Sequence, residues 1–186
     1  RYTNKWNDYR TEKQYAKDLI DEGCVIISQH SDTAGPATAC EETAAGTPVY
    51  LVSYNQSMLD VAPTTYLTGC KIDWKPYMKA AVDAVLNGNV IEKNIEGNIN
   101  GNDVGAGFDE GWVSMLEFND IVVADGTKEA VESVIEQLNK GKLTVFKGDY
   151  IGVKQDTIDL RDGYIENKDS SAPTFDYILK DIITIE

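Results

Sequence analysis

The chain has few of the residues that build metal sites and disulfide frameworks. Its 186 residues include three cysteines, Cys24, Cys40 and Cys70, and one histidine, His30. The cysteines are odd in number and lack the short spacings of zinc sites, so we expect no bound metal and no disulfide framework. Each cysteine lies in an apolar stretch, which predicts that all three are small core residues.

Positive charge and long apolar runs are also scarce. Lysine and arginine total 17 against 31 acidic residues, giving a formal net charge of −14. A nucleic-acid partner needs a basic face, so we expect none. No apolar run is long enough to span a membrane. The glycines of residues 101–107 lack the lysine and hydroxyl residue of a phosphate-binding loop, and we expect no cofactor.

Signatures of catalysis are missing as well. There is no Gly-x-Ser-x-Gly motif, and Ser28 and Ser31 are neighbours of His30 in the same segment. A nucleophile and its base usually meet across different loops, so this proximity does not predict a catalytic pair. The adjacent carboxylates Asp109 and Glu110 are typical of a solvated turn. We therefore predict no catalytic residue and no enzyme.

What the first half does contain is an alternation of strand-like and helix-like segments. Short apolar runs are separated by amphipathic segments that end at glycine or asparagine. The residues expected to face inward from the last of these helices are Met78, Ala81, Val82, Val85 and Leu86. This order predicts an α/β fold, with a parallel sheet flanked by helices. The predicted strands are residues 24–28, 48–53 and 66–70, and the predicted helices are residues 12–22, 35–45 and 76–86.

The second half is less regular. Residues 128–140 form an amphipathic pattern typical of a helix, and Val145 and Phe146 begin a predicted short strand. The interpretation is a lobe of residues 1–100, followed by crossover strands, the helix and a tail within residues 101–186.

Polar and aromatic side chains follow the predicted strand ends. The carboxyl ends of parallel strands converge at one edge of a sheet, where ligands bind. Aromatic rings there can stack on a flat heterocycle, while amide and carboxylate groups recognise its polar edge. The candidate ligand-binding residues are Trp6, Gln29, His30, Asp32, Tyr54, Asn55 and Trp74.

The order of these motifs resembles one family, the basic membrane protein (BMP) lipoproteins. These are substrate-binding proteins of ABC importers with the type I periplasmic-binding fold. The resemblance extends from Trp6 to about Phe146. It depends on Trp6-Asn7-Asp8, on Gln29-His30-Ser31-Asp32-Thr33 and on Trp74-Lys75-Pro76-Tyr77.

The resemblance implies a purine-like ligand. Known members of the family take up purine nucleosides, and Trp6 occupies the position of an aromatic residue that stacks on the base. The carboxylate positions that hold the ribose correspond to Asn55 and Ser57 here, and the lysine position aligns with Ile72. A nucleobase or another small heterocycle is therefore as compatible with the chain as a nucleoside.

The resemblance also implies partners and a location. It predicts closure of two lobes on the ligand, docking on an ABC permease, and an extracytoplasmic protein with an upstream lipid anchor. A first lobe would precede Trp6, so residues 1–186 alone are expected to hold half a cleft and to bind weakly. The alternatives are a ligand-sensing domain of a regulator on the same fold and an enzyme of flavodoxin-like or sugar-isomerase type.

Overall fold

The computed structural model describes residues 1–46, 48–94, 104–153, 156–166 and 174–181. The chain divides into two compact units, residues 1–72 with 113–129 and residues 73–112 with 130–186. The predicted lobe boundary at residue 100 and the first part of the 101–107 segment lie outside the described residues. None of the helices in the described ranges is long and apolar enough to cross a lipid bilayer.

The first unit contains a four-stranded sheet with the order β1-β2-β3-β4. The first three strands are parallel, with Ile27 opposite Leu51, and β4 runs antiparallel to β3. This arrangement confirms the predicted α/β fold with a parallel sheet and flanking helices, and adds an antiparallel edge strand. The elements are α1 (Tyr9–Asp21), β1 (Ile26–Ser28), α2 (Gly35–Thr43), β2 (Tyr50–Tyr54), β3 (Tyr66–Ile72) and β4 (Val113–Met115).

The core of this unit lies where α1 packs on α2 and the buried face of the sheet. Ala16 and Ile20 of α1 meet Ala37 and Cys40 of α2, and all four are buried. The helices approach closely at Gly35, where a Cβ atom would lie 2.7 Å from the carbonyl oxygen of Tyr9. This approach brings the start of α2, and the loop before it, against the first turns of α1.

The cysteines do not all lie in this core. Cys40 is buried as predicted, and Cys70 is partly buried. The prediction for Cys24 is wrong, because its side chain is exposed. Cys24 follows the turn at Gly23 and leads into β1, an edge strand of the sheet whose Ile26 is also exposed. An edge position leaves side chains in this short apolar run without cover.

The second unit contains α3 (Lys75–Leu86), a 3-10 helix (Ile91–Lys93) and a small sheet. This sheet consists of β5 (Ile151–Val153), β6 (Ile158–Asp159) and β7 (Ile178–Leu179), antiparallel in the order β6-β5-β7. The helix α4 (Thr127–Asn139) begins at the end of the first unit and matches the predicted helix within a residue at each end. The rings of Phe146 and Phe175 stack beside the small sheet, with centroids 4.0 Å apart.

Two expectations for this unit are wrong. Met78, Val82, Val85 and Leu86 of α3 are exposed, and Ala84 is its buried residue. Among the described elements α3 packs mainly on the short 3-10 helix, which is too small to cover its apolar side. The predicted strand at residues 145–146 is reduced to a single bridge between Phe146 and Tyr164.

Candidate functional site

A cavity of about 270 Å³ lies beside the carboxyl end of β1. Trp6, Gln29 and His30 line it, together with residues of α1 and the N-terminal segment. The cavity combines an apolar floor that includes Ile27 with polar groups from the loop that follows β1. Three of the predicted ligand-binding residues therefore share one hollow.

A second cavity, of about 230 Å³, lies at the carboxyl end of β2. Asp32, Tyr54 and Asn55 line it, and Ser31 lines both this cavity and the first. Because β1 and β2 are adjacent parallel strands, their carboxyl ends open on the same edge of the sheet. All of the predicted site residues except Trp74 thus line two neighbouring cavities within the first unit.

Two of the predicted aromatic residues stack on each other. The ring centroids of His30 and Tyr54 are 5.4 Å apart, and the ring planes differ by 7°. His30 follows β1 and Tyr54 ends β2, so the stack joins two strand ends. It creates a planar aromatic surface between the two cavities, of the kind that supports a flat ligand.

Trp6 is held beside this edge through its backbone. The N–H of Asp32 donates to the carbonyl oxygen of Trp6 at 2.8 Å. The residue as a whole is 71% exposed. The backbone contact places the Trp6 ring next to the loop that carries His30 and Asp32, while the ring face stays accessible.

The side chain of Gln29 is buried and has a structural role. Its Nε2 donates to the carbonyl oxygens of Ser31 at 3.1 Å and Thr33 at 3.0 Å. These acceptors fix which end of the amide carries the nitrogen. The Oε1 atom is buried and accepts no hydrogen bond from the described residues. Gln29 therefore holds the loop through its nitrogen and presents an unpaired acceptor at its oxygen.

Asn55 adopts a left-handed backbone conformation, with φ of 62°. Its N–H donates to the carbonyl oxygen of Cys70 at 2.8 Å, and its Oδ1 accepts from the N–H of Ile72 at 3.0 Å. Asparagine tolerates this conformation better than most residues. The side chain thereby ties the end of β2 to the end of β3.

The residue that sequence reasoning missed is Glu12. Its side chain is 3% exposed, although it lies in the first turn of α1. Oε1 accepts from the N–H of Asp8 at 2.8 Å, and Oε2 accepts from the Ser31 hydroxyl at 2.8 Å and from both the N–H and the hydroxyl of Thr33. An N-cap aspartate followed by a glutamate in the first turn is a capping signal, but it indicates only the local contact.

Charge at the start of α1 is balanced by close partners. The Lys5 ammonium donates to the carboxylate of Asp8 at 2.8 Å, and the N–H of Thr11 caps it at 3.2 Å. These two hydrogen bonds, that from Lys5 first, lower the pKa of Asp8 below its ordinary value. The N-terminal segment that carries Trp6 is thus joined to α1 by an ion pair and a helix cap.

Trp74 belongs to the second unit. It precedes α3 and is 60% exposed. Its ring meets Tyr77 edge to face at 6.2 Å, and Tyr77 meets Trp112 in the same way at 5.7 Å. Within its own unit Trp74 is the exposed end of a row of three aromatic rings.

A model of one protein family matches most of the chain. It is described as the ABC transporter substrate-binding protein PnrA-like family, Bmp, and it matches residues 1–146. The family consists of binding proteins, a class that carries out no catalysis, in agreement with the prediction from the sequence.

Individual relatives cover the same part of the chain. A purine-binding protein of Brucella abortus is 31% identical over 147 residues, which are 79% of this chain and 38% of that protein. A Haloferax volcanii protein named as a putative ABC transporter glucose-binding protein is 30% identical over 148 residues, 80% of this chain and 34% of that protein. The chain thus spans little more than a third of the length of these relatives.

A solved structure shares the fold. The solute-binding protein of an ABC transporter system from Conexibacter woesei superposes with a TM-score of 0.54 at 18% identity, covering 78% of this chain and 45% of that one. At this identity the likeness concerns the fold alone. The family itself is shown by the match over residues 1–146: this chain belongs to the Bmp family of PnrA-like ABC transporter substrate-binding proteins.

Proposed function

We propose that the chain contributes to the ligand site of a solute-binding protein that delivers a purine nucleoside, a nucleobase or a similar small heterocycle to an ABC importer. The observation that carries the proposal is the stack of His30 on Tyr54 at the ends of adjacent parallel strands. The stack adjoins the cavity that Asp32 and Asn55 line, so planar and polar groups meet at one place.

In this proposal the aromatic residues bind the faces of the ligand. Trp6 stacks on the ring system, and the Tyr54–His30 pair forms a second planar surface. Asp32 and Asn55 contact the polar edge of the ring, while the buried amide of Gln29 holds the loop that presents Asp32. No covalent step takes place, and the ligand is released unchanged.

The class of ligand is supported by both the relatives and the site. The Brucella relative is named for purine binding, and the Haloferax relative for glucose. A paired aromatic surface beside amide and carboxylate groups favours a flat heterocycle that offers both faces and a polar edge. Asn55 and Ser57 stand where the family has ribose-binding carboxylates, so the free base belongs among the ligands to be tested.

The remaining parts of the proposal concern the whole protein. Residues 1–100 are assigned to a C-terminal ligand-binding lobe, and residues 101–186 contain segments that pack on a second lobe. The chain spans little more than a third of each relative's length, which supports a second lobe in the whole protein. Closure of the two lobes buries the ligand, and the closed form docks on a permease outside the cytoplasm. A lipid anchor upstream is the expected attachment to the membrane.

Isothermal titration calorimetry tests the proposal with named probes. Adenine, hypoxanthine, adenosine, guanosine and glucose are titrated into the protein with both lobes and into residues 1–186 alone. At least one purine is expected to bind, more tightly with both lobes. The Trp6→Ala variant should weaken binding by about 1–3 kcal/mol, the usual worth of stacking one base on an aromatic ring.

The matched control is Tyr150→Ala. Tyr150 is an exposed aromatic residue outside the part of the chain that the family model matches, so its removal should leave the affinity unchanged. Binding of glucose without any purine would replace the proposed ligand by a sugar. Equal purine affinity in the wild type and in Trp6→Ala would remove Trp6 from the site.

A further inference from the structure

The loop of residues 31–33, which presents Asp32 and follows His30, is held from two sides by buried side chains. On one side, the Glu12 carboxylate accepts from the hydroxyls of Ser31 and Thr33 and from the N–H of Thr33. On the other side, the amide nitrogen of Gln29 donates to the carbonyl oxygens of the same two loop residues. The backbone conformation of the loop is thus set by groups that are themselves locked in place.

The same carboxylate also reaches the segment that carries Trp6. Its other oxygen accepts from the N–H of Asp8, the residue that caps α1. The loop also contacts this segment directly, because the N–H of Asp32 donates to the carbonyl oxygen of Trp6. One buried carboxylate therefore joins both segments that supply residues to the proposed ligand site.

A carboxylate suits this position better than any other side chain. Every group that faces its two oxygens is a donor, and an ionised carboxylate only accepts hydrogen bonds. The hydroxyls of Ser31 and Thr33 can also accept, but the N–H groups of Asp8 and Thr33 cannot, so the amide nitrogen of a glutamine would face one of these two backbone donors. Hydrogen bonds to charged groups are also stronger than those between neutral groups.

We propose that Glu12 is a positioning residue of the ligand site, which fixes the loop of residues 31–33 and the Trp6 segment relative to each other. The effect of Glu12 on ligand affinity rests on the proposed function. The positioning itself concerns the geometry of the first unit and can be measured without a ligand. Glu12 borders the first cavity but is 3% exposed, and both of its carboxylate oxygens accept from groups of the protein, so it acts on the site through Asp32, His30 and Trp6.

The test compares Glu12→Gln and Thr33→Val with the control Asp21→Asn. Asp21 is an exposed residue at the end of α1, so its substitution makes the same change of charge away from the loop. Thr33→Val keeps the shape of the side chain and the charge of Glu12 but removes one donor to it, together with the acceptor of the Gly35 N–H. The readouts are the thermal midpoint, the imidazole NMR signals of His30, and the affinity for the purine that binds the wild type best.

His30 makes the spectroscopic readout unambiguous, because it is the only histidine in the chain. Well below the thermal midpoint, its signals should shift or broaden in Glu12→Gln and Thr33→Val and stay in place in Asp21→Asn. The affinity of Glu12→Gln should fall about tenfold or more, the fold-change that corresponds to losing a hydrogen bond to a charged group.

A folded Glu12→Gln with wild-type His30 signals and wild-type affinity overturns the proposal. If Glu12→Gln does not fold, Thr33→Val decides by the same two readouts. A wild-type protein that binds none of the purines refutes the proposed function instead, while the His30 signals still decide whether Glu12 positions the loop.

Discussion

The imidazole of His30 lies parallel to the ring of Tyr54, with centroids 5.4 Å apart and planes 7° from coplanar. The two residues come from the ends of different strands, so the contact depends on the parallel pairing of β1 with β2. A stack of this geometry gives the sheet edge a flat aromatic surface within a polar loop region.

Tyr54→Leu should move the imidazole signals of His30 downfield in NMR spectra, because the shielding face of the tyrosine ring is lost. Tyr50→Leu is the matched control. Tyr50 begins the same strand, faces the same side of the sheet and is equally half-buried, but lies at the opposite end. Equal shifts in the two variants would show that the stack does not form in solution.

Gly35→Ala should destabilise the protein by about 1–3 kcal/mol, the usual cost of overpacking a tight contact. The added Cβ would lie 2.7 Å from the carbonyl oxygen of Tyr9 and 2.9 Å from the backbone nitrogen of Lys13, and backbone atoms cannot move aside cheaply. Chemical denaturation measures the effect.

Gly46→Ala provides the comparison for Gly35→Ala. A Cβ at Gly46 has no atom within 4 Å, so this variant should be neutral or slightly stabilising through its effect on the unfolded chain. If the two alanine variants lost stability equally, close packing at Gly35 would not be the cause.

Alkylation should separate the cysteines by burial. Cys24 is exposed and should react with iodoacetamide rapidly in the native protein, whereas Cys40 should not. Burial raises the pKa of the Cys40 thiol to about 12, so almost none of it is thiolate at about pH 8. Mass spectrometry of the labelled peptides gives both rates, and Cys24→Ser should abolish the fast reaction. A fast reaction at Cys40 would contradict the packing of α2.

The small sheet contains a carboxylate with a strongly lowered pKa. The hydrogen bonds from the Arg161 guanidinium, followed by that from its backbone N–H, lower the pKa of Asp159 from 3.8 to about 2. Since the folded pKa is depressed, the stabilising contribution is complete above 3.8 and disappears as the pH falls through about 2.

Arg161→Gln should therefore raise the pKa of Asp159 towards its ordinary value. Arg161→Lys, which keeps the charge but not the planar fork, should give an intermediate value. Carboxyl chemical shifts followed by NMR during an acid titration measure both. An unchanged pKa in Arg161→Gln would assign the shift to another neighbour of Asp159.

Much of the first unit could be predicted because its signals are local. The apolar runs that became β1, β2 and β3 are bounded by polar residues or glycine, and their order along the chain is that of a parallel sheet. The same reasoning predicted that His30, Asp32, Tyr54 and Asn55 lie at one edge of the sheet, since residues that follow parallel strands share that edge. The helix α4 was predictable from its amphipathic period alone.

Features that depend on long-range contacts were not accessible in this way. Glu12 looks like an ordinary first-turn glutamate, and its burial depends on a loop almost twenty residues further along the chain. Cys24 lies in an apolar run, but its exposure follows from the edge position of β1. The prediction that the apolar side of α3 is buried was wrong, because periodicity identifies the apolar side of a helix but not what covers that side.

The left-handed backbone conformation and the side-chain hydrogen bond of Asn55 restrict which amino acids this position tolerates. The residue must accept a positive φ and must also supply a side-chain oxygen to the N–H of Ile72. Glycine meets only the first demand and glutamine only the second, which leaves asparagine and aspartate. The two hydrogen bonds of Asn55 already join the ends of β2 and β3 in the absence of a ligand. A ligand that contacts this amide therefore meets a preorganised group, and its binding loses little conformational entropy at this position.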